Sequence, residues 1–220
     1  CIHHQSDRRN SRFIVANCAR LGAERADVEL FGSDGVATSR RIVGLFEQAH
    51  KGTLYFDEVC DLPLETQGKI VRAVAEQRFR RVGGNKEVSV DVRVISASSR
   101  DLSAAIAEGR LREDLYYRLG VVPLSMPPLA ERREDIPHLA RHFVDLVARR
   151  TGLGKVKLGD EVLSAMQGYR WPGNVRQMLN TIENMLIMAP ADRSEPLGLD
   201  LLPAEIQNIS PAAGNSDIDA

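Results

Sequence analysis

Four short apolar runs punctuate the first part of the chain: RFIVAN at 12–17, TLYFDEV at 53–59, VRVISAS at 92–98 and VVPLSM at 121–126. They are rich in β-branched residues and nearly continuous in hydrophobicity, the pattern of strands buried on both faces. Between them the period changes. ETQGKIVRAVAEQRF at 65–79 places Ile70, Val71, Val74 and Phe79 at near-helical spacing, and LSAAIAEG at 102–109 is a short helix that Gly109 can stop. Strands alternating with helices predict an α/β fold with a parallel sheet covered by helices.

Beyond about residue 134 the strand pattern ends. EDIPHLARHFVDLVARRTG reads as a helix with Pro137 in its first turn and Gly152 at its end, and DEVLSAMQGY opens on Asp160 as an N-cap. A third helix follows the Pro-Gly break of WPGNVRQMLNTIENMLIMA, with Val175, Leu179, Ile182, Met185 and Leu186 on its apolar face. The expected organisation is therefore an α/β core over 1–134, a helical subdomain over 135–208 and a linker over 209–220, where only two isoleucines interrupt small and polar residues.

Composition narrows the reading. With 43% apolar and 27% charged residues in 220, the chain can build a globular core. A formal net charge of −1 implies no overall attraction to nucleic acid or membrane. No apolar run approaches the roughly 20 residues of a membrane-spanning helix. The opening CIHHQSDRRN is polar and basic, unlike a secretory signal, and its lack of an initiator methionine suggests a fragment. Three scattered cysteines fit reduced thiols and a cytoplasmic location. His138 and His142 share a helix face, but HLARH lacks the glutamate of a zinc motif, so two solvated histidines outweigh a metal site.

The chemistry concentrates at the end of the second run. Asp57 and Glu58 follow three apolar residues, at the strand end where parallel sheets bind ligands. One carboxylate suits Mg²⁺ beside phosphates and the other suits a base for an attacking water. Two surface acids past a strand weigh equally on this evidence alone. GRLREDLYYRLGVVPL adds Arg112 and Arg118, about 9 Å apart along a helix, and YRWPGNVRQ places Arg176 in the first turn of another. Arginine suits phosphate through its planar fork. The plainer alternatives are surface pairing with Glu113 or Asp114, and a solvated Arg176.

Taken in order, the segments ELFG, GLFEQAHKGTLYFDEVCDLPLETQGKIVRAV, RVGG, VDVRVISASSRDL, GRLREDLYYRLGVVPLSMPPLAERREDIP and YRWPGNVRQ resemble the AAA+ domain of sigma-54-dependent bacterial enhancer-binding proteins, and within them the NtrX branch of the NtrC group. The resemblance runs from about residue 12 to 206. It implies an ATP-binding, Mg²⁺-dependent AAA+ core with a helical lid. TLYFDE matches the Walker B motif, which implies Asp57 as a magnesium ligand through water and Glu58 as the residue that primes the attacking water. ANC matches the segment whose Asn17 would hold or release that glutamate. SASSRDL matches sensor I, with Ser99 at its functional position. LREDLYYRL matches the arginine-finger segment, so Arg112 and Arg118 would reach a neighbouring subunit's nucleotide in a homo-oligomeric ring, a hexamer in this family. GNVR matches sensor II, with Arg176 on the nucleotide. A receiver domain answering a sensor kinase and a DNA-binding helix-turn-helix are implied outside this chain.

Three departures qualify the resemblance. The glycine-rich phosphate loop is missing: RVGGNKE reads as a turn, and the loop is expected just upstream. The strand that carries it is central in the family, so a gap is expected between the runs at 92–98 and 121–126. The chain alone is expected to be inactive. ELFGSDGVATSRRIVGLFEQ lacks GAFTGA, which argues against a contact with the sigma-54 polymerase. Ser99 replaces the usual asparagine and offers one hydroxyl in place of an amide fork. Two functions follow: an ATPase module of a two-component transcription regulator, or an ATP-binding oligomerisation module with little hydrolysis and no sigma-54 remodelling.

Overall fold

A computed structural model describes residues 1–35, 40–189 and 195–208, divided between two compact units, Cys1–Leu124 and Ser125–Ala220. In the first unit, β1 (Phe13–Asn17), α1 (Ala26–Phe31), α2 (Leu45–Gln48) and β2 (Thr53–Asp57) precede α3 (Leu64–Glu76). Then come β3 (Arg78–Arg80), β4 (Glu87–Ser89), β5 (Arg93–Ser96), α4 (Leu102–Ala107) and α5 (Glu113–Leu119). The main sheet has the order β1-β2-β5 and is parallel throughout. Phe13 lies opposite Thr53 and Asn17 opposite Asp57, while Thr53 faces Arg93 and Phe56 faces Ser96.

The pleat sorts the strand residues by face. Ala16, Leu54 and Phe56 point into the core, joined by Leu30, Phe46, Ile70 and Leu115. Phe31 stacks on Phe46 at 5.4 Å, and Phe79 leans on both. Burying each large side chain stabilises the unit by about 1.5–3 kcal/mol. The opposite face differs from the double covering that the sequence predicts. There Phe13 and Val15 are 44% and 52% exposed. Its leading edge is covered, where the His3 ring lies 5.1 Å from Phe13 and Nδ1 meets the Thr53 hydroxyl at 2.9 Å.

The run at 121–126 does not form the fourth strand that its composition suggests. Val121, Val122, Leu124 and Met126 are 68–78% exposed. β-propensity is realised only where a sheet edge receives the backbone. Among the described residues β5 pairs with β2 alone, and the runs at 92–98 and 121–126 are not joined to one another. The RVGG stretch is a turn, as read: it links β3 to β4, which pair antiparallel from Arg78–Ser89 to Arg80–Glu87.

The segment where GAFTGA is expected lies partly in 36–39, outside the described residues, but its base is well defined. Ser33 bridges to both Ile42 and Val82. Gly32, at φ 81°, and Gly44 approach so closely that a Cβ on Gly44 would sit 2.3 Å from the Gly32 nitrogen. Only glycine fits that crossing. Arg81, nearly buried, ties the base together by donating to Glu47 at 2.7 Å and Asp34 at 3.2 Å.

The second unit is helical: α6 (Ile136–Thr151), α7 (Asp160–Gly168), α8 (Asn174–Met188) and α9 (Ala204–Gln207). Pro137 opens α6 and Gly152, at φ 71°, closes it, as the sequence predicts. Asp160 is the first residue of α7 rather than its cap; Gly159 precedes it. An acid in the first turn still complements the helix dipole. Ile136, Ala140, Val162, Met166, Met178, Ile182 and Trp171 form the core, with the indole Nε1 donating to the Met166 carbonyl at 2.7 Å. His138 and His142 are exposed on α6. The expected linker at 209–220 lies outside the described residues.

Candidate functional site

The carboxyl ends of the three parallel strands bring Asn17, Asp57, Glu58 and the loop after β5 together. Register places Asn17 beside Asp57. Asp57 is half-buried, and one of its oxygens accepts from the Tyr55 hydroxyl at 3.2 Å. Burial, and then the neighbouring Asp57 carboxylate, raise the Tyr55 hydroxyl's pKa, so it remains a donor. The other Asp57 oxygen makes no hydrogen bond among the described residues. Among those residues no three His, Cys, Asp or Glu side chains converge as a metal cage. A single open carboxylate beside a strand end matches how Mg²⁺ is held when phosphates and waters fill the remaining positions.

Glu58 follows with a left-handed backbone, φ 56° and ψ 56°. That conformation turns the chain sharply into the 3₁₀ turn Val59–Asp61 and swings the carboxylate toward the loop after β5. There it accepts from the Ser99 amide at 3.0 Å. This amide, then the Ser99 hydroxyl and Arg100, hold the Glu58 carboxyl below the usual carboxylate range. A depressed carboxyl is ionised throughout neutral pH, the state a general base requires. The family resemblance implies Asn17 as the partner of Glu58; in the structure the Asn17 side chain makes no hydrogen bond to Glu58, whose carboxylate meets the Ser99 amide.

Burial pushes the Cys18 thiol up to about 12, reinforced by Asp57 and Asp61.

The two candidate finger arginines are placed differently. Arg112 caps α5, and its guanidinium forks onto Asp114, with Nε and Nη2 donating at 3.0 and 2.8 Å. The surface pairing weighed against a functional role is thus present for Arg112. Arg118, in the last turn of α5, is exposed and makes no ion pair or hydrogen bond among the described residues. Arg176 lies exposed in the first turn of α8, in the second unit.

Two positioning residues escape a reading by motif. Gln67 is inaccessible to solvent on α3. Its amide donates to the carbonyls of Leu62 and Arg110 and accepts from the Arg112 amide at 2.9 Å. All its main polar capacity is used to fix the start of α5. Asn174, at φ 49°, accepts from the Leu129 amide at 2.8 Å and so anchors the segment before α6. A polar residue at a core position of a helix was the available signal for Gln67; nothing local marked Asn174.

The sequence matches the family described as Sigma-54 interaction domain over residues 1–125 and the AAA+ ATPase lid domain over 130–218. It is 44% identical over 216 residues to the nitrogen assimilation regulatory protein NtrX of Azorhizobium caulinodans, covering 98% of this chain and 48% of that protein. It is 40% identical over 215 residues to the DNA-binding transcriptional regulator NtrC of Azospirillum brasilense, covering 96% and 44%. The crystal structure of NtrX from Brucella abortus in complex with ATP superposes with a TM-score of 0.84 at 45% identity, over 98% of this chain and 48% of that one. The chain thus spans about half the length of the curated relatives it matches. Motif order, parallel sheet, helical second unit and these similarities agree: the chain belongs to the sigma-54 interaction domain family, an AAA+ domain with its lid, of the NtrC group of enhancer-binding proteins that includes NtrX.

Proposed function

We propose that the chain is the ATP-binding and ATP-hydrolysing module of a two-component, DNA-binding transcription regulator of the NtrX kind, working in the cytoplasm. The observation that carries this reading is the pair at the end of β2: an open Asp57 carboxylate beside Glu58, whose carboxylate turns to the loop after β5. Asp57 would hold Mg²⁺ through water, and the ion would neutralise charge on the β- and γ-phosphates. Glu58 accepts the proton of the attacking water. Ser99 lines the same strand end, and Asn17 stands beside Asp57 to receive the glutamate. Arg176 binds the nucleotide from the lid.

Arg118 acts across a subunit boundary, with nucleotide bound between protomers of a ring, a hexamer. Its guanidinium is exposed and makes no ion pair or hydrogen bond among the described residues, which supports this role. Arg112 joins it once released from Asp114. DNA is contacted by a helix-turn-helix and a sensor kinase by a receiver domain, neither within this chain. The core spans 1–134, the lid 135–208 and a linker 209–220.

A second reading keeps ATP binding and assembly but gives up rapid hydrolysis and sigma-54 remodelling. The replacement of GAFTGA by SDGVATSR, and Ser99 itself, favour it. One comparison separates the two: ATP affinity and ATP turnover of the protein measured across concentrations that span assembly. The ATPase reading expects binding together with hydrolysis that rises as oligomers form. Binding with hardly any turnover, even where oligomers form, selects the second. In the hydrolysing form, Glu58→Gln should lower turnover about 10²–10⁴-fold while ATP stays bound; unchanged turnover removes Glu58 from the mechanism.

A further inference from the structure

We infer that the groove between α3 and the β3–β4 hairpin is a binding site for a small organic carboxylate with a flat apolar body. Arg72 takes its charge, and its rings lie over Ala73, Phe31 and Phe79. The inference uses none of the residues assigned to nucleotide and stands apart from the ATPase reading.

The sequence of α3 prepares the groove. Lys69, Arg72, Ala73 and Glu76 follow one another at spacings of three, one and three, so they share one helix face. Three of them are long and charged, whereas Ala73 is a single methyl group, 1% exposed. A short side chain in a row of long ones leaves a depression. The helix ends at Gln77, whose left-handed backbone, φ 52°, turns the chain at once into β3. The Gln77 side chain fixes that turn by accepting from the Val92 amide at 2.8 Å. β3 is thereby packed against α3. Phe31 and Phe79, with ring centroids 5.5 Å apart, supply an aromatic wall, and Arg78 and Arg80 flank it. The cavity between these elements is about 390 Å³, a size that suits a small ligand.

The charges on its rim are not equivalent. Lys69 is held by Asp27 at 2.5 Å and by Glu65 at 2.8 Å. Arg78 pairs with Glu76 at 3.1 Å and with Glu87 at 3.7 Å, and Arg80 shares Glu87 at 3.4 Å. Arg72 is exposed, lines the same cavity and makes no ion pair or hydrogen bond among the described residues. A guanidinium fork receives a carboxylate through two parallel N–H donors. One open fork above an apolar floor therefore selects one carboxylate joined to an apolar body. Aromatic rings suit that floor, because they pack edge-to-face or offset on phenylalanine. A chain of phosphates fits poorly, since successive anions would meet Glu76 and Glu87 on the rim.

Backbone-amide NMR of the protein with 2-naphthoate as the probe tests this. The probe should shift amides within residues 69–80 and bind with a dissociation constant of about 1 mM, the scale for a ligand of its size. 2-Naphthalenemethanol keeps the rings without the carboxylate and should bind about tenfold or more weakly. Inorganic phosphate, an anion without rings, should be weaker by a similar factor. Arg72→Gln should lose about tenfold in naphthoate affinity, and Arg72→Lys should fall between it and the parent, keeping the charge without the fork. Both variants should fold as the parent does, because Arg72 is exposed and unpaired among the described residues. Equal affinity for the alcohol or for phosphate overturns the ligand class. Affinity unchanged in Arg72→Gln, or shifts centred on Asp57 and Glu58 rather than on α3 and β3, overturns the site. Absence of shifts at about ten times the expected constant overturns both.

Discussion

Gln67 shows how much one polar side chain can organise. Three backbone groups, on Leu62, Arg110 and Arg112, find their partners in its amide. Gln67→Leu keeps the volume and removes all three bonds, at about 1–3 kcal/mol for each buried group left unpaired. Chemical denaturation should show a loss of that order, and assembly-dependent ATP turnover should fall with it as the start of α5 loosens. Retention of full stability would mean that water replaces the amide. Cys18 makes a different prediction. Its thiol pKa is raised on folding, so its contribution to stability is complete below the unfolded value, 9.0, and is lost as pH rises toward about 12. Stability measured from pH 8 to 11 should therefore decline less in Cys18→Ala than in the parent. At neutral pH a thiol reagent should label exposed Cys1 while sparing buried Cys18 and Cys60. At this scale the sequence was informative about identity and silent about partnership. Asp57 and Glu58 were visible as acids at the end of an apolar run. That Glu58 bonds to Ser99 depends on a left-handed backbone turn, which no local pattern announced.

At the scale of elements, α5 separates two arginines that the sequence treats alike. Arg112 is occupied by Asp114, whose carboxyl it holds well below the usual range, whereas Arg118 is free among the described residues. Arg118→Ala should leave ATP binding by an isolated subunit unchanged and lower the turnover of the assembled form. Asp114→Ala should do the opposite, raising assembly-dependent turnover by releasing Arg112. Both are read from turnover against protein concentration, and equal loss of monomer binding in Arg118→Ala would make it a ligand within its own subunit. The helices were the most legible elements, because α3, α6 and α8 repeat their apolar positions over three or more turns. The strands were legible only as runs. VVPLSM has the same composition as a strand and remains unpaired, because pairing belongs to the neighbour and is not encoded in the run itself.

At the scale of the molecule, the exposed apolar residues follow a pattern. Phe13 and Val15 crown one face of the sheet, and Val121, Val122, Leu124 and Met126 form an exposed strip. Apolar patches and open sheet edges of this kind promote association. The chain on its own should sediment as concentration-dependent oligomers and bind a hydrophobic dye. Val122→Lys with Leu124→Lys should reduce both, and a monodisperse parent with no dye binding would contradict the prediction. Legibility at this scale was good for architecture, since the change from strand to helix pattern marks two kinds of core. It was poor for coverage, because an alternating pattern says which face is apolar and not what lies against it.

The single tryptophan has a practical consequence. Trp171 is 1% exposed in the second unit, its indole held by the Met166 carbonyl. The first unit contains none. Emission excited at the red edge of protein absorbance therefore reports the helical half alone, without any label. Circular dichroism sums over both halves. Following the two signals through one denaturant series would show directly whether the halves melt together or in succession. It would also show which of them a nucleotide stabilises.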